Sequence, residues 1–172
     1  MSTVEEAIRT KRAVRRFTDQ PIPDDAVRAI LIAGRRAQSS KNTQPWSFIA
    51  VRDRETLRRL SETGDFAGHL AGAALGVALI MPITPEREGW ILFDLGQAAA
   101  YMQLAAWERG IGSCIASIYH PDQAGAILGI SEGMRCDVAL SFGYPAPDQA
   151  RPGVVRPGGR RPFDEVVHWE RW

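Results

Sequence analysis

The chain has 172 residues, of which 45% are hydrophobic and 24% are charged. These fractions are typical of one globular domain and exclude a disordered, collagen-like or rod-like protein. Its 21 basic and 20 acidic residues leave a formal net charge of +1, so charge does not indicate a nucleic-acid partner. Lys11 and Lys41 are the only lysines. The excess of arginine over lysine reflects either a bias in composition or arginines that bind phosphate. The surroundings of each arginine distinguish the two.

The cysteines and the apolar stretches predict the cellular compartment of the protein. Cys114 and Cys136 are far apart and form no C-x-x-C motif, which favours reduced thiols over a disulfide. The N-terminal sequence MSTVEEAIRT lacks the apolar core of a signal peptide. The longest apolar stretch, residues 73–82, is about half the ~20 residues that a membrane-spanning helix needs. We therefore expect a soluble cytoplasmic protein without a membrane partner.

Five stretches have the pattern of a helix. A capping-box spacing at residues 2–6 predicts the first helix, and the second begins near Pro23. Asp53 is placed to cap the third. Residues 90–109 are apolar nearly all round, which is typical of a central helix or of one pressed against another chain. The last predicted helix, residues 122–128, is short.

Four strands are predicted, over residues 46–51, 73–81, 113–118 and 135–142. The run AALGVALIM at 73–81 favours a strand buried on both faces, although periodicity alone leaves a buried helix open. The polar segment AQSSKNTQP at 37–45 predicts a loop before the first strand.

The composition changes after Gly143. Residues 145–162 are rich in proline and glycine, which predicts that 146–172 is an extended arm of a single domain covering 1–172. The chain end is apolar again and should dock on a surface; its apolar residues are Phe163, Val166, Val167, Trp169 and Trp172. We favour exchange of this arm between two protomers, and folding back onto the same chain is the alternative.

Three polar clusters are candidate binding sites. The first has four cations in six residues, namely Lys11, Arg12, Arg15 and Arg16, and its alternative is a solvated basic surface. The second, residues 39–46, carries amides that donate and accept, and its alternative is a hydrogen-bonded turn. The third is the pair Arg160 and Arg161. Two arginine clusters from opposite ends of a chain could converge on one dianion.

These clusters and the segments between them resemble, in order, the motifs of the FMN-dependent nitroreductase family. Residues 8–17 are similar to its phosphate motif RRSxRxF. Residues 39–48 are similar to PSxxNxQPWxF, the most specific of the motifs. The remaining similarities are to the central helix, the GLG[ST]C turn, the last strand and the closing motif, at 94–96, 110–114, 142–145 and 160–169.

The resemblance implies an α+β fold with a mostly antiparallel sheet surrounded by helices, and a homodimer that binds two FMN molecules at its interface. It implies that Lys11, Arg12, Ala13 and Arg15 hold the FMN phosphate with Arg160 and Arg161. It also implies that the partner chain supplies Ser39, Ser40, Asn42 and Gln44, of which the two amides contact the ring or ribityl. The turn that includes Ala116 and Ser117 is expected beside flavin N5.

Three residues depart from the family pattern. Lys11 stands at a usual arginine, and Ala13 removes a serine hydroxyl. Gln38 replaces the proline before the second cluster. Residues 82–90 also lack the insertion that covers the active site in larger relatives, so we expect an open pocket.

Other chemistries lack their signatures. Ile115 occupies the third glycine position of G-x-G-x-x-G, so a dinucleotide domain is not expected. The histidines, His69, His120 and His168, belong to no set with metal-ligand spacing, and we expect no metal. G-x-S-x-G is also absent.

The reaction expected from the resemblance is electron transfer from NADH or NADPH through flavin N5 to a nitroaromatic or quinone acceptor, by a ping-pong mechanism. No side chain is assigned a catalytic role, since the cofactor carries the chemistry. Alternatives are a flavin-binding or storage protein, other reactions of the same fold (flavin destruction, reductive dehalogenation, azoline oxidation), and a helical interaction domain without cofactor.

Overall fold

The structure is a computed structural model that describes residues 3–149 and 159–172. These residues form a four-stranded antiparallel sheet, in the order β1-β2-β4-β3, with five α-helices around it. The α+β fold predicted from the sequence is therefore confirmed. The elements in chain order are α1 (Val4–Thr10), α2 (Asp24–Arg35), β1 (Ser47–Val51), α3 (Arg54–Ser61), β2 (Leu75–Pro82), α4 (Glu88–Trp107), β3 (Gly112–Ser117), α5 (Pro121–Leu128) and β4 (Met134–Gly143).

The helix ends follow local chemistry. The Thr3 hydroxyl accepts the Glu6 N–H at 3.2 Å, and the Asp53 carboxylate accepts the Thr56 N–H at 2.8 Å, so α1 and α3 have the predicted caps. The helix α4 begins two residues earlier than predicted, because the turn Pro85–Arg87 leads directly into it.

The apolar run predicted as a doubly buried strand is β2, which lies between β1 and β4. Its alternate side chains enter two cores. One core includes Val77 and Leu79 under α2 and α4, and the other includes Ala78 and Ile80 beside α3 and α5. Full burial of a large apolar side chain contributes about 1.5–3 kcal/mol.

Close packing sets α2 against α4. A Cβ at Gly34 would lie 2.1 Å from the Met102 methyl carbon, so the glycine lets the two helices approach. The residue that weakens helix propensity near the end of α2 is thus the residue that permits its packing.

Residues 11–18 are held across the ends of β3 and β4. The Val14 N–H donates to the Ser113 carbonyl at 3.0 Å. Val14 packs on Gly112 and Phe17 packs on Gly143, two glycines that face each other in the sheet register. A Cβ on either glycine would lie 2.7 Å from the side chain above it. This packing fixes the first cationic cluster at the start of β3.

Part of the arm prediction lies outside the described residues. Residues 150–158 are not described, so the path of the arm and its exchange stay predictions. In the described tail, Phe163, Trp169 and Trp172 are exposed. Both cysteines are buried free thiols. No helix among the described residues is long and apolar enough to span a membrane.

Candidate functional site

The free edge of β3 is the centre of the candidate site. The Ile118 N–H donates to the Asp137 carbonyl at 2.9 Å, which sets the alternation of hydrogen bonds between β3 and β4. Backbone groups of Ser113, Ile115 and Ser117 therefore point away from β4. Ala116 contributes no group to this edge, because its backbone faces Ala139 and its side chain is buried.

Cations from both ends of the chain meet beside this edge. Burial lowers the pKa of Lys11; Cys114 opposes this shift and the nearby Arg160 adds to it. Burial raises the pKa of Cys114, and Arg15 and Lys11 oppose that shift. Lys11 thus lies near both Cys114 and Arg160, and Arg15 lies near Cys114. The fold therefore brings Arg160, from the end of the chain, close to Lys11 of the first basic cluster.

The other members of the two basic clusters contact their own neighbours. Arg12 donates to the carbonyls of Arg9 and Lys11, each at 2.8 Å. Arg161 donates to the Glu165 carbonyl at 2.7 Å. Ala13 forms a backbone bridge with Ser113. These hydrogen bonds use only some of the five N–H donors of each guanidinium, so Arg12 and Arg161 keep donors that an anion could accept from.

A cavity of about 460 Å³ opens next to Arg15, and its other lining residues are Asp65, Phe66, Gly68, His69 and Ile115. His69 is only 9% exposed, and its ring contacts the Ser141 hydroxyl at 2.7 Å and the Ile115 carbonyl at 3.2 Å. Sequence reasoning assigned no role to Phe66 or His69. No local signal singles them out, since the cavity forms only when Arg15 and Ile115 approach residues 65–69 from distant parts of the chain.

The second cluster is a strained loop between α2 and β1. Lys41, Asn42 and Gln44 have φ angles of 53°, 54° and 48°, a left-handed conformation that is costly for residues other than glycine. The Ser39 hydroxyl accepts the Gln44 N–H at 2.9 Å. The buried carboxylate of Asp94 on α4 accepts the Ser40 N–H at 3.1 Å. Such strain is common at functional sites.

One chain does not bring this loop to the cations. The loop contacts α4 at Asp94, whereas the segment that carries the cations contacts α4 through a hydrogen bond of 3.0 Å from the Trp107 indole to Thr10. At about 1.5 Å per residue, the two positions on α4 are roughly 20 Å apart along its axis. Ser39, Ser40, Asn42 and Gln44 therefore lie far from the β3 edge of the same chain.

Comparison with known proteins places this chain among oxidoreductases. The sequence model of the nitroreductase family matches residues 8–63 and 69–144. The chain therefore belongs to the nitroreductase family, as the resemblance predicted, and it is an oxidoreductase. A protein of Archaeoglobus fulgidus, provisionally named an NADH dehydrogenase/NAD(P)H nitroreductase, is 34% identical over 147 residues, which are 80% of this chain and 83% of that protein.

Solved structures share the fold over nearly the whole chain. The NADPH:FMN oxidoreductase of Vibrio harveyi, solved with NAD+, has a TM-score of 0.85 at 25% identity, covering 98% of this chain and 77% of that one. An FMN-dependent nitroreductase of Clostridium difficile has a TM-score of 0.79 at 23% identity, covering 96% and 98%. The second likeness concerns the fold alone.

Proposed function

We propose that the protein is an FMN-dependent NAD(P)H oxidoreductase that reduces nitroaromatic, quinone or related acceptors. Reductant and acceptor take turns at one site, which is a ping-pong mechanism. The observation that carries the proposal is that the first basic cluster is held at the start of β3 by the Val14–Ser113 hydrogen bond, beside a cavity that Arg15 and Ile115 line, with Arg160 near Lys11. The names of the A. fulgidus and V. harveyi proteins support the nicotinamide reductant, and that of the V. harveyi protein supports FMN.

The residues present fit FMN. Burial and, to a smaller extent, Arg160 lower the pKa of Lys11, and a phosphate dianion between Lys11 and Arg160 would oppose both effects. The backbone groups of Ile115 and Ser117 offer hydrogen bonds to the polar edge of a planar ring. The exposed side chains of Phe66 and Ile115 offer apolar contact to its face.

Residues of this chain would bind the cofactor, orient it and give its surroundings a positive charge. Lys11, Arg15 and Arg160 would hold the phosphate, and the β3 edge would orient the ring. When bound, FMN supplies a hydride acceptor and donor at N5. The cations also stabilise negative charge that develops on a reduced cofactor. No side chain need donate a proton, because the cavity is open to solvent.

We also propose a homodimer in which each site is completed by the partner's strained loop. The distance of roughly 20 Å along α4 between the two contacts supports this, because it separates the loop from the segment of the same chain that carries Lys11 and Arg15. Exposed apolar side chains on α1 and α4, namely Val4, Ile8, Trp90 and Phe93, offer a surface for a second copy. In this proposal the arm 146–172 is exchanged between the protomers, and the protein is cytoplasmic.

The test is the visible absorption spectrum of protein reconstituted with FMN, before and after anaerobic NADH or NADPH. We expect flavin bands that bleach with reductant and return with a nitroaromatic or quinone. Bands that do not bleach would favour a flavin-binding protein, and a failure to bind FMN would contradict the proposal. Parallel lines in double-reciprocal plots are expected, and intersecting lines would contradict the ping-pong mechanism.

Variants test the phosphate site. Arg15→Ala and Arg160→Ala should each weaken FMN binding about tenfold or more, because each removes a charge-assisted hydrogen bond. Arg59→Ala, at an exposed arginine on α3, is the matched control and should bind FMN like the parent. Equal flavin content in all three variants would show that the phosphate binds elsewhere.

A further inference from the structure

We propose that His69 is a positioning residue that covers the Ile115 carbonyl and so gives the free edge of β3 the donor character that the flavin site needs. This proposal rests on the proposed function, because it names how one edge of that site is prepared. It adds a role for a residue that neither the motifs nor the basic clusters include.

The hydrogen bonds of His69 determine its tautomer. A carbonyl oxygen can only accept, so the Nε2 atom at 3.2 Å from the Ile115 oxygen carries the proton. In the neutral ring, Nδ1 is then an acceptor, and the Ser141 hydroxyl donates to it at 2.7 Å. A directed chain therefore runs from Ser141 on β4, through the ring, to the outer edge of β3.

Three backbone carbonyls point outward from this edge of β3, and a different segment of the chain lies against each of them. The Ser113 carbonyl accepts from the Val14 N–H, and the Ile115 carbonyl accepts from His69. The Ser117 carbonyl oxygen lies over Gly64, only 2.1 Å from where a Cβ would be. The N–H groups of Ile115 and Ser117 point to the same side of the strand. With its carbonyls covered, the edge presents donors to a ligand.

This donor character suits an isoalloxazine ring, whose N5 and carbonyl oxygens are acceptors. An uncovered Ile115 carbonyl would face those acceptors and repel them. The neighbourhood keeps the ring of His69 neutral: burial lowers its pKa, the hydrogen bond to Ile115 opposes that shift, and Arg15 adds to it. A neutral ring is required, because only then can Nδ1 accept from Ser141.

The first experiment is NMR of the purified protein with 15N-labelled histidine, with and without added FMN. We expect the Nε2–H tautomer for His69 near neutral pH in both samples. The Nδ1–H tautomer would overturn the proposal. The 13C shift of the Ile115 carbonyl is measured in parallel and should move upfield in His69→Leu and return in His69→Gln.

The second experiment is FMN titration of three variants. His69→Leu removes the ring N–H donor to the Ile115 carbonyl and, among the described residues, leaves only the weak thiol donor of Cys114 at 3.5 Å, so it should weaken FMN binding about tenfold. His69→Gln carries an amide N–H that can replace Nε2–H, and it should bind within about threefold of the parent. The matched control is His120→Leu, at an exposed histidine before α5, which should bind like the parent.

The outcomes separate this proposal from the proposed function. If the parent does not bind FMN, the proposed function fails, while the tautomer and the Ile115 carbonyl shift still decide the role of His69. If the parent binds FMN and a folded His69→Leu binds equally well, the positioning role is wrong and the proposed function stands. If His69→Leu does not fold, FMN binding by His69→Gln and the tautomer of the parent decide the role instead.

Discussion

The two edge strands of the sheet, β3 and β1, differ in what packs against them. At the β3 edge the chain packs against itself, with Val14 and His69 on backbone carbonyls and Gly64 under the last one. At the β1 edge no further strand is paired within residues 3–149 and 159–172. A groove of about 680 Å³ lies there instead, lined by α2 and by Phe48 and Arg52.

The β3 edge is thus covered by segments of its own chain, whereas the β1 side is not, in the part of the chain that the structure describes. The β3 edge depends on close approaches at glycines, which allow little adjustment. The β1 side carries a strained loop that contacts its own chain through Ser40 and Asp94. In the proposed dimer, the rigid edge binds the cofactor and the strained loop completes the site of the partner. This division of roles predicts how the protein responds to changes at each edge.

The largest effect is expected from removing the end of the arm. Deletion of the residues after Gly159 removes Arg160 and the apolar tail, and should give a protein that is monomeric, free of FMN, or both. Size-exclusion chromatography with light scattering and the visible spectrum measure the two properties. A dimer that still carries flavin would contradict the exchanged arm.

A methyl group at Gly112 should disrupt the completed edge. In Gly112→Ala the new Cβ would lie 2.7 Å from the Cβ of Val14, so the segment with the cations must shift. Overpacking of this kind costs about 1–3 kcal/mol in the free energy of unfolding, measured with urea. FMN binding should weaken in the same variant, since Lys11 and Arg15 move with Val14.

The control for that variant is Gly125→Ala in α5. A Cβ at Gly125 meets no atom within 4 Å, and alanine favours a helix over glycine by about 0.5–1 kcal/mol. We therefore expect equal or greater stability and unchanged FMN binding. Equal effects of the two substitutions on stability and on FMN binding would show that neither property depends on the close contact between Val14 and Gly112.

The smallest effect is a pH dependence. Burial lowers the pKa of His69 in the folded protein, so between that value and about 6.5 the unfolded chain binds more protons. Stability should therefore be full above about pH 6.5 and fall as the pH decreases towards the lowered pKa, by at most about 1.4 kcal/mol per pH unit.

His69→Gln lacks this titration, so its stability difference from the parent should narrow in that range of pH. Arg15, Asp65 and Cys114 are the other titratable groups near the ring, and they are common to both proteins. Urea unfolding at several pH values measures the difference. A constant difference from pH 7 to pH 5 would show that the protonation of His69 is not coupled to folding.

Much of the fold was predictable from local sequence. Asp53 caps the helix that it was expected to cap, and Thr3 caps the helix for which the spacing had left Ser2 or Thr3 open. The apolar run at 73–81 overlaps most of the buried strand β2. The order of motifs predicted the family. These signals are readable because caps, periodicity and turns act between residues that are near one another in the chain.

The composition of the site was less predictable. The sequence presents five cations as phosphate ligands, and in the structure Arg12 and Arg161 also bind carbonyls close to them in the chain. The approach of Arg160 to Lys11 was not predictable in the same way, because it joins opposite ends of the chain and depends on the fold.

Local pattern thus predicted the helices, the strands and the family, because caps, periodicity and motifs are each read within a short segment of the sequence. The β3 edge became visible only in three dimensions. His69 and Ser141 are separated by 72 positions, and Lys11 and Arg160 come from opposite ends of the chain. Contacts of that kind leave no periodic trace in a sequence, since they exist only when β3 and β4 have paired and the segments beyond them have packed against the edge.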